Sequence, residues 1–181
     1  MAKSPNRRLL LLRHAKSAWP DDVADHERPL ARRGRRDAPA AGRWLRESDC
    51  LPDRVVCSTA RRARETWQLA AAELRASPKV RFDQRVYGAT AGQLLDLAHL
   101  TPPGTRTLLI VGHDPAIQEL TLALASTEAD DAGAFERVRL KFPTAAIAVL
   151  AFAGSWPKLA PGQARLAVFM VPRGPGRGGG A

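Results

Sequence analysis

Residues 9–20 read LLLLRHAKSAWP, four leucines running without a break into an arginine and a histidine. A continuous apolar run of this length suits a strand covered on both faces, as in the interior of a parallel sheet, rather than the alternating pattern of a strand with one wet face. In open α/β sheets, ligands bind just beyond the carboxyl ends of such strands. Arg13 and His14 therefore stand where the mouth of a site is expected.

The rest of the chain alternates in the manner such a sheet needs. Strand-like runs occur at 9–13, 54–58, 79–82, 107–112, 145–152 and 164–171. Helical periodicity lies between them: Ala63, Trp67, Ala70 and Leu74 share one face, as do Ile117, Leu120, Thr121 and Leu124. Further helices are expected at about 34–48, with Pro39 near the first turn or kinking it, and at about 91–99. The pattern predicts an α/β fold, a three-layer sandwich with a mostly parallel central sheet flanked by helices. The last two strands are close in sequence and joined by a Gly/Pro-bearing loop, so one of them is expected to run antiparallel. A single domain over residues 1–172 is expected, followed by a disordered Gly/Pro-rich tail, RGPGRGGGA, at 173–181.

With 181 residues the chain suits one domain. No apolar run approaches the length of a membrane span. The leucines after Asn6-Arg7-Arg8 look superficially like a secretory signal, but the run is too short and no small-residue cleavage site follows. Two cysteines, Cys50 and Cys57, make neither a disulfide framework nor a metal-ligand pair, and Cys57 reads as a small buried residue. A cytoplasmic location is expected. Lys and Arg number 28 against 18 Asp and Glu, and 20 of the basic residues against 11 of the acidic ones fall in residues 1–90. Such an excess favours anionic partners. Charge alone is read as a solvated, arginine-rich surface.

Three strand ends converge on one chemistry. The first continues as RHAKS, the second as CSTARRARET and the fourth as VGHDP. Arg13 and one of the arginines at 61–64 offer planar forks that match phosphate oxygens. The segment after Ser58 opens a helix, whose N-terminus attracts anions. His14 and His113 supply imidazoles able to act as nucleophile, acid or charge stabiliser. There is no HExxH, no paired cysteine ligands and no GxxxxGK[ST] loop. Two histidines and two arginines without a metal cage suggest phosphoryl transfer through a phosphohistidine.

Arg13-His14-Ala15 resembles the Arg-His-Gly signature of the histidine phosphatase (phosphoglycerate mutase-like) superfamily. The match to its SixA-type phosphohistidine phosphatase branch is closer and spans nearly the whole chain: LLRHAKSAW, RPLARRGRRDAPAAGRWL, RRARETW, VYGATAGQLLDL, LLIVGHDPAIQEL and KFPTAAIAVLAF follow in order at suitable spacing. The resemblance implies a phosphoglycerate mutase-like fold, no cofactor and no metal. It implies that His14 is the phosphorylated nucleophile and that Arg13 holds the phosphoryl oxygens. The R-A-x-x-T pattern falls on Arg62, Ala63 and Thr66, which makes Arg62 the second phosphate arginine. His113 matches the histidine that binds and neutralises the transferring group, and Ser17 is a candidate to add a hydroxyl. Lys16 contributes to the positive field, while His26 and His99 are read as structural or exposed.

Two positions depart from the superfamily pattern. Ala15 replaces the signature glycine. In FDQRVYG, Gln84 stands where mutases carry the glutamate that serves as general acid, and an amide cannot protonate a leaving group. Asp114, where acid phosphatases of the superfamily carry an acid aspartate, is the remaining candidate acid, but Asp followed by Pro115 and an amphipathic run is read as a helix N-cap. The expected activity is hydrolysis of phosphohistidine on a protein, or of a small phosphoramidate. The alternatives are a phosphomonoesterase for small metabolites and, in another class, a non-catalytic basic binding module. The single tyrosine and five phenylalanines are scattered, so nucleic acid is not an expected partner, nor is a membrane. A monomer is expected.

Overall fold

The computed structural model describes residues 7–126 and 132–174. Six strands form one sheet: β1 (Arg7–Arg13), β2 (Arg54–Ser58), β3 (Lys79–Asp83), β4 (Thr107–Gly112), β5 (Ile147–Phe152) and β6 (Arg165–Met170), in spatial order β3-β2-β4-β1-β5-β6. The pairings β3–β2, β2–β4 and β4–β1 are parallel. Strand β5 runs antiparallel to both β1 and β6, as the short connection between the last two strands requires. The strands end within a residue or two of the sequence expectation. Strand β1 begins two residues early, taking in Arg7 and Arg8, and buried Arg7 gives its guanidinium to the carbonyls of Pro103 and Gly154.

Helices α1 (Arg32–Glu47) and α2 (Arg61–Leu74) cover one face. Helices α3 (Ala91–His99), α4 (Ala116–Leu124) and α5 (Ala132–Leu140) cover the other. Period-two alternation along β1 divides its leucines between the two layers: Leu10 and Leu12 pack with Leu45, Trp67 and Leu74, while Leu9 and Leu11 pack with Leu94, Ile117 and Phe142. All four leucines are wholly buried, which makes β1 the strand the sandwich closes around. Burying them contributes roughly 2 kcal/mol each. Pro39 lies in the interior of α1 rather than its first turn. Helix α5 was not expected, because GAFERVRL carries only a weak apolar stripe, and packing of Ala134 and Val138 into the core holds it in place.

Arg173 and Gly174, the first residues of the expected tail, are held by α1. The Asp37 carboxylate, wholly buried, accepts from Gly174 N–H at 3.1 Å and lies 3.6 Å from Arg173. Residues 175–181 of that tail lie outside the described residues.

Two close backbone approaches fix α1. A Cβ on Gly34 would overlap the Lys16 carbonyl, two residues beyond His14, and one on Gly42 would overlap the Ala70 carbonyl of α2. An exposed helical Gly→Ala normally stabilises by about 1 kcal/mol. Here the sign reverses, because α1 and α2 must separate, and Gly42→Ala is expected to lower stability by about 1–3 kcal/mol. Urea denaturation measures it; a rise in stability would show that the two helices do not pack as described.

Candidate active site

The carboxyl ends of β1, β2 and β4 lie side by side in register, Arg13 opposite Gly112 and Cys57 opposite Val111. That edge therefore receives His14 from β1, Ser58 from β2 and His113 from β4. The rings of His14 and His113 face each other with centroids 5.1 Å apart at an interplanar angle of 55°. Alternation sends Arg13 to the α4/α5 side, where its Nη1 donates to the Phe142 carbonyl at 2.5 Å and pairs with Asp114 at 3.3 Å. Arg62 comes from the first turn of α2 and is buried.

Hydrogen bonding settles the tautomer of His14. Its Nδ1 lies 2.7 Å from the Ala15 carbonyl, which can only accept, so Nδ1 carries the proton and Nε2 keeps its lone pair. The loop is held in turn by Ala15 N–H donating to Thr66 Oγ1 on α2 at 2.9 Å, while the Thr66 hydroxyl donates to the Arg62 carbonyl. On the other imidazole, His113 Nε2 meets Ser58 Oγ at 2.7 Å, and Ser58 Oγ also accepts from Ala60 N–H. The assignment that gives the Ser58 hydrogen an acceptor puts the His113 proton on Nδ1, a buried atom with no partner among the described residues. Arg13 Nε and Asp114 Oδ1 are likewise buried and unpartnered, so unmet polar groups gather at this pole.

Electrostatics make both rings poor bases. Burial, reinforced by His113 and by the Arg62 and Arg13 guanidinium groups, pushes the His14 pKa down to about 3. Burial, followed by Arg62 and Arg13, brings His113 down to about 4. Arginine keeps its charge in proteins, so the histidines are the groups that give way.

The remaining expected residues fall as follows. Ser17 is buried at the site's edge, but its Oγ accepts from Arg28 Nη2 at 2.6 Å. Asp114 is not the helix cap: α4 begins at Ala116, with Pro115 at the capping position and no side-chain cap. Its carboxylate turns instead to Arg13, the ion pair competing for the group a cap would need, and burial raises its pKa with partial opposition from Arg13. Gln84 is exposed and opens the turn Gln84–Val86, while the Asp83 carboxylate beside it is taken by Arg81 and Arg85. Lys16 is exposed. His99 is structural, bonded to the Leu159 carbonyl at 2.7 Å, and Cys57 is wholly buried with its thiol pKa pushed up by burial. Among the described residues, no group of three or more His, Cys, Asp or Glu is arranged to hold a metal ion.

Sequence reasoning missed a second layer of residues. Asp25, in the turn Asp25–Glu27 between β1 and α1, accepts from Tyr87 Oη at 2.7 Å, Arg28 at 2.9 Å and Arg62 Nη2 at 3.1 Å; its backbone carbonyl takes Arg62 Nη1 at 2.6 Å. These bonds, Tyr87 and Arg28 foremost, hold the Asp25 carboxyl well below the usual carboxylate range. The Tyr87 ring stands edge-on to His113 at 5.6 Å and to His26 at 4.9 Å, so His26 belongs to the rim of the site. Arg28, buried, stacks on the exposed ring of Trp19. The available signals were a loop dense in charge, DDVADHER, and the chain's single tyrosine, and neither has a periodicity.

Comparison with known proteins follows the same lines. The family model of the histidine phosphatase superfamily (branch 1) matches residues 9–99. An uncharacterized protein of Mycobacterium tuberculosis is 46% identical over 162 residues, covering 90% of this chain and 100% of that protein. A Mycobacterium leprae protein, also uncharacterized, is 41% identical over 166 residues with the same coverage. Among solved structures, one from Nakamurella multipartitia with a provisional assignment as phosphohistidine phosphatase SixA superposes with a TM-score of 0.81 at 36% identity, covering 94% of this chain and 98% of its own. One from Agrobacterium tumefaciens with the same provisional assignment gives 0.74 at 25% identity, covering 93% and 99%.

The depressed pKa values of buried His14 and half-buried His113 predict a pH dependence with a definite sign. Below about pH 6.5 the unfolded chain protonates His14 and His113, whereas the folded protein keeps them neutral until about pH 3 and about pH 4. Stability therefore falls as pH drops through that window, by up to about 1.4 kcal/mol per pH unit for each ring. The ring resonances of both histidines should stay unshifted between about pH 7 and about pH 5 by NMR. A His14 titration midpoint near its ordinary value would contradict this.

Proposed function

The chain belongs to the histidine phosphatase superfamily, and we propose that it is a metal-independent phosphatase that hydrolyses phosphohistidine, or a related phosphoramidate, through a phosphohistidine intermediate on His14. The observation that carries the reading is a neutral imidazole with its Nε2 lone pair free, set against a second neutral imidazole and two arginines. In the first step His14 Nε2 forms an N–P bond as the substrate's own N–P bond breaks, and the departing imidazole takes a proton from solvent. In the second, water attacks phosphorus, the electron pair returns to Nε2, and the water proton leaves with the phosphate or to solvent. Arg13 and Arg62 hold the equatorial oxygens, and His113 donates from Nδ1. Catalysis rests on positioning and on stabilising developing charge.

The leaving group distinguishes the substrates. With Gln84 an exposed amide and Asp83 tied to two arginines, no carboxylic acid is presented from that segment. Expelling an alkoxide without a proton donor is hard, since a water-like oxygen has a pKa near ~15.7. Imidazole leaves readily because it protonates near pH ~6.5. A second reading, a phosphomonoesterase for small metabolites, is favoured by one observation: the raised pKa of Asp114 and its buried, unpartnered Oδ1 suit a general acid.

One comparison decides between them. For a site without a general acid, kcat/KM for a phosphoramidate should exceed that for an alkyl phosphate by about 10²–10⁴, with aryl phosphates between. Equal or better hydrolysis of alkyl phosphates, lost in Asp114→Asn while the phosphoramidate activity persists, would replace the first reading with the second. Activity is also expected to survive exhaustive chelation, because the arginines already supply the positive charge. Loss with EDTA and recovery with Zn²⁺ or Mn²⁺ would overturn the arginine-based mechanism.

A further inference from the structure

Helices α1 and α2 run back from the catalytic edge, so their N-termini flank the site. Helix N-termini favour acidic residues, yet neither first turn contains one, and neither helix has a side-chain cap. Arg32, Arg33 and Arg35 occupy the first turn of α1, and Arg61 and Arg64 accompany Arg62 in that of α2. These cations work against the helix dipoles and against one another. Ion pairs offset part of this at Arg33, Arg35, Arg61 and Arg64, but not at Arg32, and a local rule broken at two neighbouring helices marks a surface kept for another purpose.

The charges there are not balanced. Buried Asp37 is shared by Arg33, Arg36 and Arg173. Glu65 is shared by Arg35 and Arg61, and Glu27 pairs with Arg64. Arg32 and Lys16 are exposed and join no ion pair among the described residues. Three carboxylates thus pair with six arginines around the N-terminal ends of α1 and α2, and Arg32 and Lys16 add two cations without a pair, against the exposed carboxylates of Asp21 and Asp22 in the adjoining loop. That cluster adjoins the site: Lys16 follows His14 by two residues, its carbonyl accepts from Ala31 N–H at 2.8 Å, and Arg61 precedes Arg62.

We propose that this arginine-rich face docks an acidic protein surface that carries the phosphohistidine, so that the substrate is a phosphoprotein with carboxylates flanking its phosphorylated histidine. The proposal rests on the phosphohistidine reading above and narrows it. A small phosphoramidate would gain only from the inner arginines, whereas an acidic partner also meets the outer ones. The exposed Trp19 ring, fixed from one side by Arg28, offers such a partner an apolar contact at the same rim. The excess charge that sequence composition left as a solvated surface thereby acquires a place and a direction.

The test uses two synthetic peptides with one phosphohistidine each, identical except that the flanking residues are Glu in one and Gln in the other. At low ionic strength the Glu peptide should have a kcat/KM about tenfold or more above the Gln peptide, and the advantage should collapse in high salt. Arg32→Glu combined with Arg61→Gln should abolish the advantage and leave the Gln peptide within about twofold of wild type. Arg32→Glu alone should raise Tm, since it relieves the first turn of α1, while still lowering kcat/KM for the Glu peptide; a purely structural role would move the two together. Equal rates on both peptides, or an advantage that survives salt, would overturn the docking surface while leaving the reaction intact. Hydrolysis of neither would overturn both. A DNA duplex that binds more tightly than the Glu peptide and loses its affinity in the double variant would assign the face to nucleic acid instead.

Discussion

Arginine holds its proton wherever a protein remains folded, and this constraint acts together with burial at the edge where β1, β2 and β4 end. Burial is what most depresses His14 and half-buried His113, and the nearby Arg62 and Arg13 guanidinium groups add to it. Poor solvation of the rings, with two fixed guanidinium charges beside them, keeps the imidazoles neutral. Neutrality is what the proposed nucleophile needs: a protonated His14 would have no lone pair to offer. An incoming phosphoryl dianion reverses the balance, since its charge favours the guanidinium groups and a proton on His113 alike. The same crowding that weakens the free protein therefore prepares it for an anion.

That crowding is tolerable because other groups hold the cations in place. Asp25 accepts from Arg62 at its backbone carbonyl and at Oδ2, which Tyr87 shares, and from Arg28 at Oδ1, though half of its side chain is exposed. Arg28 ties that turn to Ser17 and the Ala18 carbonyl, and Tyr87 carries the support across to His113. On the opposite side Arg13 is braced by the Phe142 carbonyl and Asp114. Beneath everything lie the four leucines of β1, whose wholly buried packing sets where Arg13 and His14 emerge.

The sheet and most of its helices were legible because their signals are periodic. LLLLR and TLLIVG read as buried strands since only an interior strand tolerates uninterrupted apolar side chains, and RARETWQLAAAEL displays its inner face directly. Arg13, His14 and His113 were legible because each sits at the end of such a run, whereas Arg62 was singled out among the arginines at 61–64 only by the resemblance to the R-A-x-x-T pattern. Asp25, Arg28 and Tyr87 were not, because they reach the site from connecting segments whose path depends on tertiary contacts. Asp114 shows the limit from the other side. Asp-Pro before an amphipathic run satisfies every local criterion for a cap, yet Arg13, distant in sequence, claims the carboxylate.

The central claim is that His14 Nε2 takes the phosphoryl group, and the most direct measurement is chemical trapping of the enzyme in turnover. Rapid acid-free quenching of wild-type protein with a phosphoramidate, followed by 31P NMR and peptide mapping, should find an acid-labile, base-stable phosphate on Nε2 of His14. The trapped species should be absent from His14→Ala, which should fold normally and have no turnover. Phosphate trapped on another residue, or undiminished hydrolysis by His14→Ala, would contradict the account.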